Sequence, residues 1–85
     1  MVLENRTFTI DGRGMWIPGR VIVIKNRSDC LVSFGDNGNM SFDDGIYIYP
    51  GKWVAFSPMA FTRHMRVRTM RKCKAIIECV YVSKE

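Results

Sequence analysis

The chain has 85 residues, of which 47% are hydrophobic and 25% are charged, a composition typical of one globular domain and unlike a disordered segment. No apolar stretch approaches the roughly 18 residues of a membrane-spanning helix, and the N-terminus lacks the basic and apolar regions of a secretory signal. We therefore expect a protein that is made in the cytoplasm and has no membrane partner. A chain this short buries only about 64% of its extended surface, so association would add stability.

Turn-forming residues interrupt the chain every few positions, and the runs between them are rich in β-branched and aromatic side chains. No window has the apolar spacing of an amphipathic helix. Short strands between regular turns predict an all-β fold, either a small antiparallel β-sandwich or a jelly-roll-like barrel of about seven or eight strands. The predicted strands span residues 6–10, 20–26, 30–34, 39–42, 45–49, 52–56, 63–69 and 74–83.

The strand pattern divides the chain into two parts. Residues 1–19 are predicted to be an N-terminal arm or edge strand, and residues 20–85 a single β-sandwich domain. Residues 21–24 are four consecutive apolar side chains, which predicts a strand covered on both faces.

The final strand carries more apolar surface than a small two-layer protein can bury. One face consists of Ala75, Ile77, Cys79 and Tyr81. The opposite face is also mostly apolar, which predicts a contact between subunits. The candidate oligomer interface consists of Ile76, Val80 and Val82.

Residues 45–56 predict a strand, a turn and a second strand. Pro50 presets φ for the second position of a type II turn, and Gly51 accepts the positive φ of the third position. Because side chains alternate along each strand, the two strands together predict one aromatic face. The candidate aromatic residues are Tyr47, Tyr49 and Trp53.

The net charge of +5 is concentrated in one stretch of the chain. Between residues 63 and 74 there are six basic residues and no acidic one, whereas the rest of the chain carries seven basic and eight acidic side chains. Such a stretch indicates a solvated or subunit-facing surface, or, with aromatic side chains beside it, a site for single-stranded nucleic acid. The candidate basic patch consists of Arg63, Arg66, Arg68, Arg71, Lys72 and Lys74.

The residue types needed for catalysis or metal binding are scarce. The single histidine, His64, lies in the basic stretch, and no serine or cysteine occupies a nucleophile motif. The acidic and amide residues between positions 36 and 44 fit turns and lack the spacing of an EF-hand. The cysteines lack the paired spacing of a zinc site, and their odd number argues against a disulfide framework. We therefore expect no enzymatic activity, no metal, no cofactor, and three reduced structural thiols at Cys30, Cys73 and Cys79.

A layout of turns and strands runs from residue 20 to residue 82. It is carried by Arg20–Asn26, Val32-x-Phe34, Phe42, Gly45-Ile46-x-Ile48-x-Pro50-Gly51, Phe56-x-Pro58 and Ala75-Ile76-Ile77-x-x-Val80-Tyr81. This layout resembles that of small all-β structural proteins of tailed-phage virions. The resemblance implies a protein that decorates or cements the capsid, or builds part of a tail or fibre, commonly as a trimer.

The resemblance also implies the partners and the location of the chain. The partners would be further copies of itself and other virion proteins such as the major capsid protein. The protein would be made in the host cytoplasm and located in the virion. No catalytic residue is carried over. The alternative interpretation, from the basic and aromatic residues, is a β-barrel of the OB or cold-shock type that binds single-stranded nucleic acid.

Overall fold

The computed structural model describes residues 2–35, 43, 45–56, 65–70 and 72–84. Within these ranges, eight strands form two antiparallel sheets of four strands each, and the predicted all-β sandwich is confirmed. The first sheet has the strand order β1-β8-β3-β6, and the second has the order β2-β7-β4-β5. The strands are β1 (Val2–Ile10), β2 (Met15–Trp16), β3 (Arg20–Asn26), β4 (Val32–Gly35), β5 (Ile46–Ile48), β6 (Trp53–Ala55), β7 (Arg66–Thr69) and β8 (Ala75–Lys84).

Strand β3 has the bounds predicted from its run of β-branched residues. Its ladder with β8 contains a register shift between Val21 and Val23. Such a bulge adds one residue to a strand and changes which side chains face the core. Val21 and Ile24, which are three positions apart, are therefore both buried, and Ile22 and Val23 are only half-buried. We expected other parts of the protein to cover both faces of β3 at residues 21–24. Instead, the bulge turns Val21 and Ile24 into the core and leaves Ile22 and Val23 half-buried.

Strand β8 holds the first sheet together, because it pairs with β1 on one side and with β3 on the other. The predicted alternation is confirmed: Ala75, Ile77, Cys79 and Tyr81 are all buried. Strand β1 is an edge strand that pairs with β8 from Val2 to Ile10. Ile10 lies in the core and Phe8 packs against it.

The turn at Pro50 and Gly51 has the features expected from its sequence. The amide of Lys52 donates to the carbonyl oxygen of Tyr49 at 3.0 Å, and Gly51 has a φ of 77°. The strands on either side do not form a hairpin. Strand β5 pairs with β4 in the second sheet, and β6 pairs with β3 in the first. The turn therefore carries the chain from one sheet to the other.

Other strands differ from the prediction at their ends. Strand β1 is longer than the predicted 6–10, and the two-residue strand β2 has no counterpart among the predicted strands. The predicted strand at 39–42 lies outside the described residues, as do positions 63 and 64 of the predicted strand at 63–69.

The core lies between the two sheets and draws on both. Its largest fully buried side chains include Tyr81 from the first sheet and Phe34 from the second. The buried apolar residues of this core cluster are Ile10, Ile17, Val21, Ile24, Val32, Phe34, Ile48, Met65, Val67, Ala75, Ile77, Cys79 and Tyr81. Each sheet therefore keeps an outer face that this core does not use.

Candidate functional site

The predicted basic patch is divided between a strand and a connection. In β7, Val67 and Thr69 are buried, so the alternating Arg66 and Arg68 lie on the outer face of the second sheet, where both are half-buried. Lys72 and Lys74 are exposed in the connection between β7 and β8. The remaining two members of the patch, Arg63 and Arg71, lie outside the described residues.

Strand β2 places a tryptophan beside this basic strand. Trp16 is the register partner of Arg66, and the Arg66 guanidinium carbon lies 5.9 Å from the centre of the Trp16 ring. The same guanidinium donates to the carbonyl oxygen of Arg13 at 2.5 Å. Trp16 remains 43% exposed, so the pair forms an aromatic and cationic surface. The sequence did not predict a role for Trp16, because a strand of two residues is too short to show the alternation of buried and exposed side chains.

Two tyrosines share this outer face. In register, Arg68 lies opposite Ser33, and Ser33 lies opposite Tyr47. Residues opposite one another in a sheet point to the same side. The rings of Tyr47 and Tyr49 are 6.3 Å apart and nearly perpendicular. We call Trp16, Tyr47, Tyr49, Arg66 and Arg68 the basic-aromatic face.

A glycine allows the loop before β2 to lie close to this face. Gly14 has a φ of 77°, a backbone conformation that residues other than glycine rarely adopt. A β-carbon at this position would lie 2.6 Å from the Arg68 Cγ atom and 2.6 Å from the Val67 carbonyl oxygen. The close approach of this loop helps to explain why the arginines of β7 are only half-exposed.

The outer face of the first sheet is more apolar. Its members follow from the register of β8 with its neighbours, since Val80 lies opposite Asn5 and Val23, and Ile76 lies opposite Thr9. Ile76 is 43% exposed, and Val80 is half-buried. Val82 is only 3% exposed, so it offers little surface to a partner. We call Leu3, Val23, Trp53, Ala55, Ile76 and Val80 the apolar outer face.

Trp53 belongs to this apolar outer face and not with the tyrosines. It is the register partner of Lys25 on β3 and is 62% exposed. The three predicted aromatic residues are thus divided between opposite sides of the sandwich. Tyr47 and Tyr49 lie on the second sheet's side, because the turn between them and Trp53 crosses between sheets.

An ion pair lies among the apolar residues of the first sheet. The Arg27 Nε atom and a carboxylate oxygen of Glu78 are 2.5 Å apart. The hydrogen bond from Arg27 has the largest effect on the pKa of Glu78 and lowers it, whereas desolvation, the second largest, opposes it. The charge of Arg27, a hydrogen bond with Asn5 and the charge of Lys25 lower the pKa further, so the net shift is downward. Glu78 is therefore held ionised between the register partners Thr7 and Lys25, on the same outer face as Val80 and Ile76.

The described side chains include no group of three or more histidine, cysteine or carboxylate residues that could hold a metal ion. His64 lies outside the described ranges. In the part of the chain that the structure describes, no helix is long and apolar enough to cross a membrane. Comparison with known proteins finds no matching family, no matching curated protein and no matching solved structure. The candidate functions therefore depend on the two outer faces.

Proposed function

We propose that this chain is a non-enzymatic structural protein of a tailed-phage virion, which self-associates and binds the capsid or tail as a decoration or cement component. The observation that supports it best is the apolar outer face, where large side chains such as Trp53, Leu3 and Ile76 are exposed on one sheet. Clustered apolar side chains on the surface of a small domain are typical of protein-protein contacts. The class of assembly comes from the resemblance in element order described above.

A second copy of the chain is the partner we assign to this face. Two β-sheets pack well face to face at about 10 Å, with the side chains of each filling the gaps of the other. Val80, Val23 and Ala55 are register neighbours across three strands, and the exposed Trp53 and Ile76 lie further along β6 and β8. Burying this surface would also compensate for the small core of an 85-residue chain. A trimer is the assembly that the virion resemblance favours.

Replacing Ile76 by lysine tests the self-association. The charge would be buried without a partner in the assembly but solvated in the free chain, so Ile76→Lys should dissociate the oligomer. Ile46→Lys is the matched control, because Ile46 is 58% exposed on the second sheet. Sedimentation equilibrium at tens of micromolar should give an oligomer for the wild type and the control, and a folded monomer for Ile76→Lys. A monomeric wild type would contradict the proposal.

The virion assignment needs a separate test. Genes for capsid and portal proteins should lie beside the gene for this chain. Mass spectrometry of purified particles should find the chain at a fixed ratio to the major capsid protein. An oligomer that is absent from particles would remove the virion role and leave the self-association in place.

A second candidate function is supported by the basic-aromatic face. The sheet brings Trp16 and Tyr47 onto the same surface as Arg66 and Arg68, although the four come from three separate strands. Aromatic rings that stack on bases, combined with arginines that contact phosphates, are the usual elements of single-stranded nucleic-acid recognition. We assign this candidate to the second sheet, so it does not compete with the apolar outer face for surface.

Salt-dependent binding to a single-stranded oligonucleotide tests this second candidate. Wild-type protein is titrated with a fluorescent single-stranded oligonucleotide at about 50 and about 200 mM salt, where phosphate contacts weaken strongly. Sub-micromolar binding that collapses at the higher salt would make nucleic-acid binding the primary function. No binding at the lower salt would exclude it.

A further inference from the structure

Two connections that cross between the sheets lie side by side. Residues 27–31 lead from β3 of the first sheet to β4 of the second, and the connection before β8 leads back from β7. Two hydrogen bonds hold them together at their ends. The amide of Arg27 donates to the carbonyl oxygen of Ile76 at 2.8 Å, and the hydroxyl of Thr69 donates to the carbonyl oxygen of Leu31 at 3.1 Å.

Each connection carries one cysteine, and the two cysteines are neighbours. The Cys30 thiol donates to the carbonyl oxygen of Lys74 at 3.4 Å. Lys74 directly follows Cys73 in the chain. A turn sets the position of Cys73. The backbone amide of Cys73 donates to the carbonyl oxygen of Met70 at 3.0 Å, and Lys72 within this turn has a φ of 69°. A hydrogen bond between the two thiol side chains raises the pKa of Cys73. Both cysteines are half-buried, so small reagents can reach them.

We propose that Cys30 and Cys73 are a redox pair that forms an intramolecular disulfide across the two connections when the protein meets an oxidising disulfide such as oxidised glutathione. Cys79 takes no part, because its side chain is buried in the core. It lies on β8, which pairs with β1 on one side and β3 on the other. This inference is independent of the proposed function.

The reaction is a pair of thiol-disulfide exchanges. One cysteine loses its proton, and the resulting thiolate attacks a sulfur of oxidised glutathione, which breaks that disulfide and releases one glutathione thiolate. The thiolate of the second cysteine then attacks the protein sulfur of the mixed disulfide and releases the second glutathione. Two protein thiols are oxidised to one disulfide, and one glutathione disulfide is reduced to two glutathione thiols, which take up the two protons.

The bond would join residues that are 43 positions apart (73 − 30). Cross-links that close long loops restrict the unfolded chain most, so oxidation should raise the melting temperature by about 10 °C or more. The pair would stay reduced in a reducing cytoplasm and close after release into an oxidising medium.

Thiol counting and peptide mapping test the proposal. The native protein is incubated with oxidised glutathione, quenched with an alkylating agent in denaturant, and analysed by intact mass and peptide mapping. We expect one alkylated thiol, at Cys79, the loss of two hydrogen atoms, and a linked peptide pair containing Cys30 and Cys73. Three alkylated thiols, stable glutathione adducts, or a different or intermolecular pairing would overturn the proposal.

Single variants supply the matched controls. Cys79→Ser should keep the new bond and the increase in melting temperature, both reversed by dithiothreitol, whereas Cys30→Ser and Cys73→Ser should lose both. Cys79 is buried, and its replacement could prevent folding; the wild-type peptide map does not depend on that variant. A melting temperature that rises equally in Cys30→Ser would contradict the assignment.

Discussion

The side-chain amide of Asn26, at the end of β3, donates a hydrogen bond to the main-chain oxygen of Ile48 on β5 at 2.9 Å and so links the two sheets. The same amide donates to the carbonyl oxygen of Cys30 at 2.7 Å. Its oxygen accepts from the amide of Ser28 at 3.0 Å. Asn26 is fully buried, so its side chain satisfies polar groups that water does not reach.

Replacement of Asn26 by alanine should destabilise the fold. It leaves the buried carbonyl oxygen of Ile48 without this donor, which costs about 1–3 kcal/mol. It also removes one of two donors to the part-buried carbonyl oxygen of Cys30, which the Ser28 hydroxyl reaches at 3.4 Å, so we expect a loss of about 2–3 kcal/mol. Urea denaturation followed by tryptophan fluorescence measures the change. Asp29→Ala, at an exposed position in the connection after β3, is the control and should stay within about 0.5 kcal/mol of the wild type. Equal losses in the two variants would show that the link between the sheets is unimportant.

The two exposed tryptophans provide a crossed test of the two faces. Trp53→Ala should weaken self-association and leave oligonucleotide binding unchanged, because Trp53 lies on the apolar outer face. Trp16→Ala should leave the oligomer intact. If the second candidate function holds, Trp16→Ala should also cost about 1–3 kcal/mol of oligonucleotide affinity, the usual value for one stacked base. Sedimentation and fluorescence titration measure the two effects. The same response from both variants would argue against separate faces.

Glu78 should make stability depend on acidity. Its pKa lies below the ordinary 4.5, mainly because of the hydrogen bond from Arg27. Because the pKa of Glu78 is lower in the folded state, its ionisation stabilises the fold at pH values above the pKa of the unfolded chain. This stabilisation is lost as the pH falls through the pKa of Glu78 in the folded state. Wild type should therefore be more stable than Glu78→Gln at pH 7, and the difference should shrink as the pH falls below the ordinary 4.5. The check is the urea midpoint of each protein across this pH range.

Arg27→Gln is the matched variant for this test. It removes the same ion pair from the other side, so the double variant should lose little more than either single one. The effect should shrink at high salt, because Arg27 is exposed and its charge is screened. A difference between Glu78→Gln and wild type that grows on acidification would contradict this role.

Cys79 should be the least reactive thiol of the reduced protein. Burial raises its pKa from 9.0 to about 12, so only about one molecule in ten thousand carries the reactive thiolate at pH 8. Alkylation under native conditions should label Cys30 and Cys73 first and Cys79 only after unfolding. Because the pKa of Cys79 is higher in the folded state, the fold favours the protonated thiol. This contribution to stability is complete below the pKa of the unfolded thiol, about 9, and is lost as the pH rises toward 12. Labelling of Cys79 at the rate of the others would show that the core opens locally.

The sequence by itself determined the features that depend on neighbouring residues. The bounds of β3, the buried side of β8 and the turn at Pro50 and Gly51 were all predicted correctly. Each rests on local physical chemistry: a run of β-branched residues, a side-chain period of two, and the φ preferences of proline and glycine. The sequence also indicated the all-β class, because closely spaced turns leave no room for helices.

Only the tertiary structure decided which strands pair and hence which side chains share a face. Strands β5 and β6 are three residues each, so their own patterns do not select a partner strand. They join different sheets, and Trp53 is thereby separated from Tyr47. The same long-range pairing brings Trp16 beside Arg66, and Cys30 beside Cys73. Pairing is decided by burial of the whole core and by the satisfaction of backbone groups, and these depend on residues far apart in the chain.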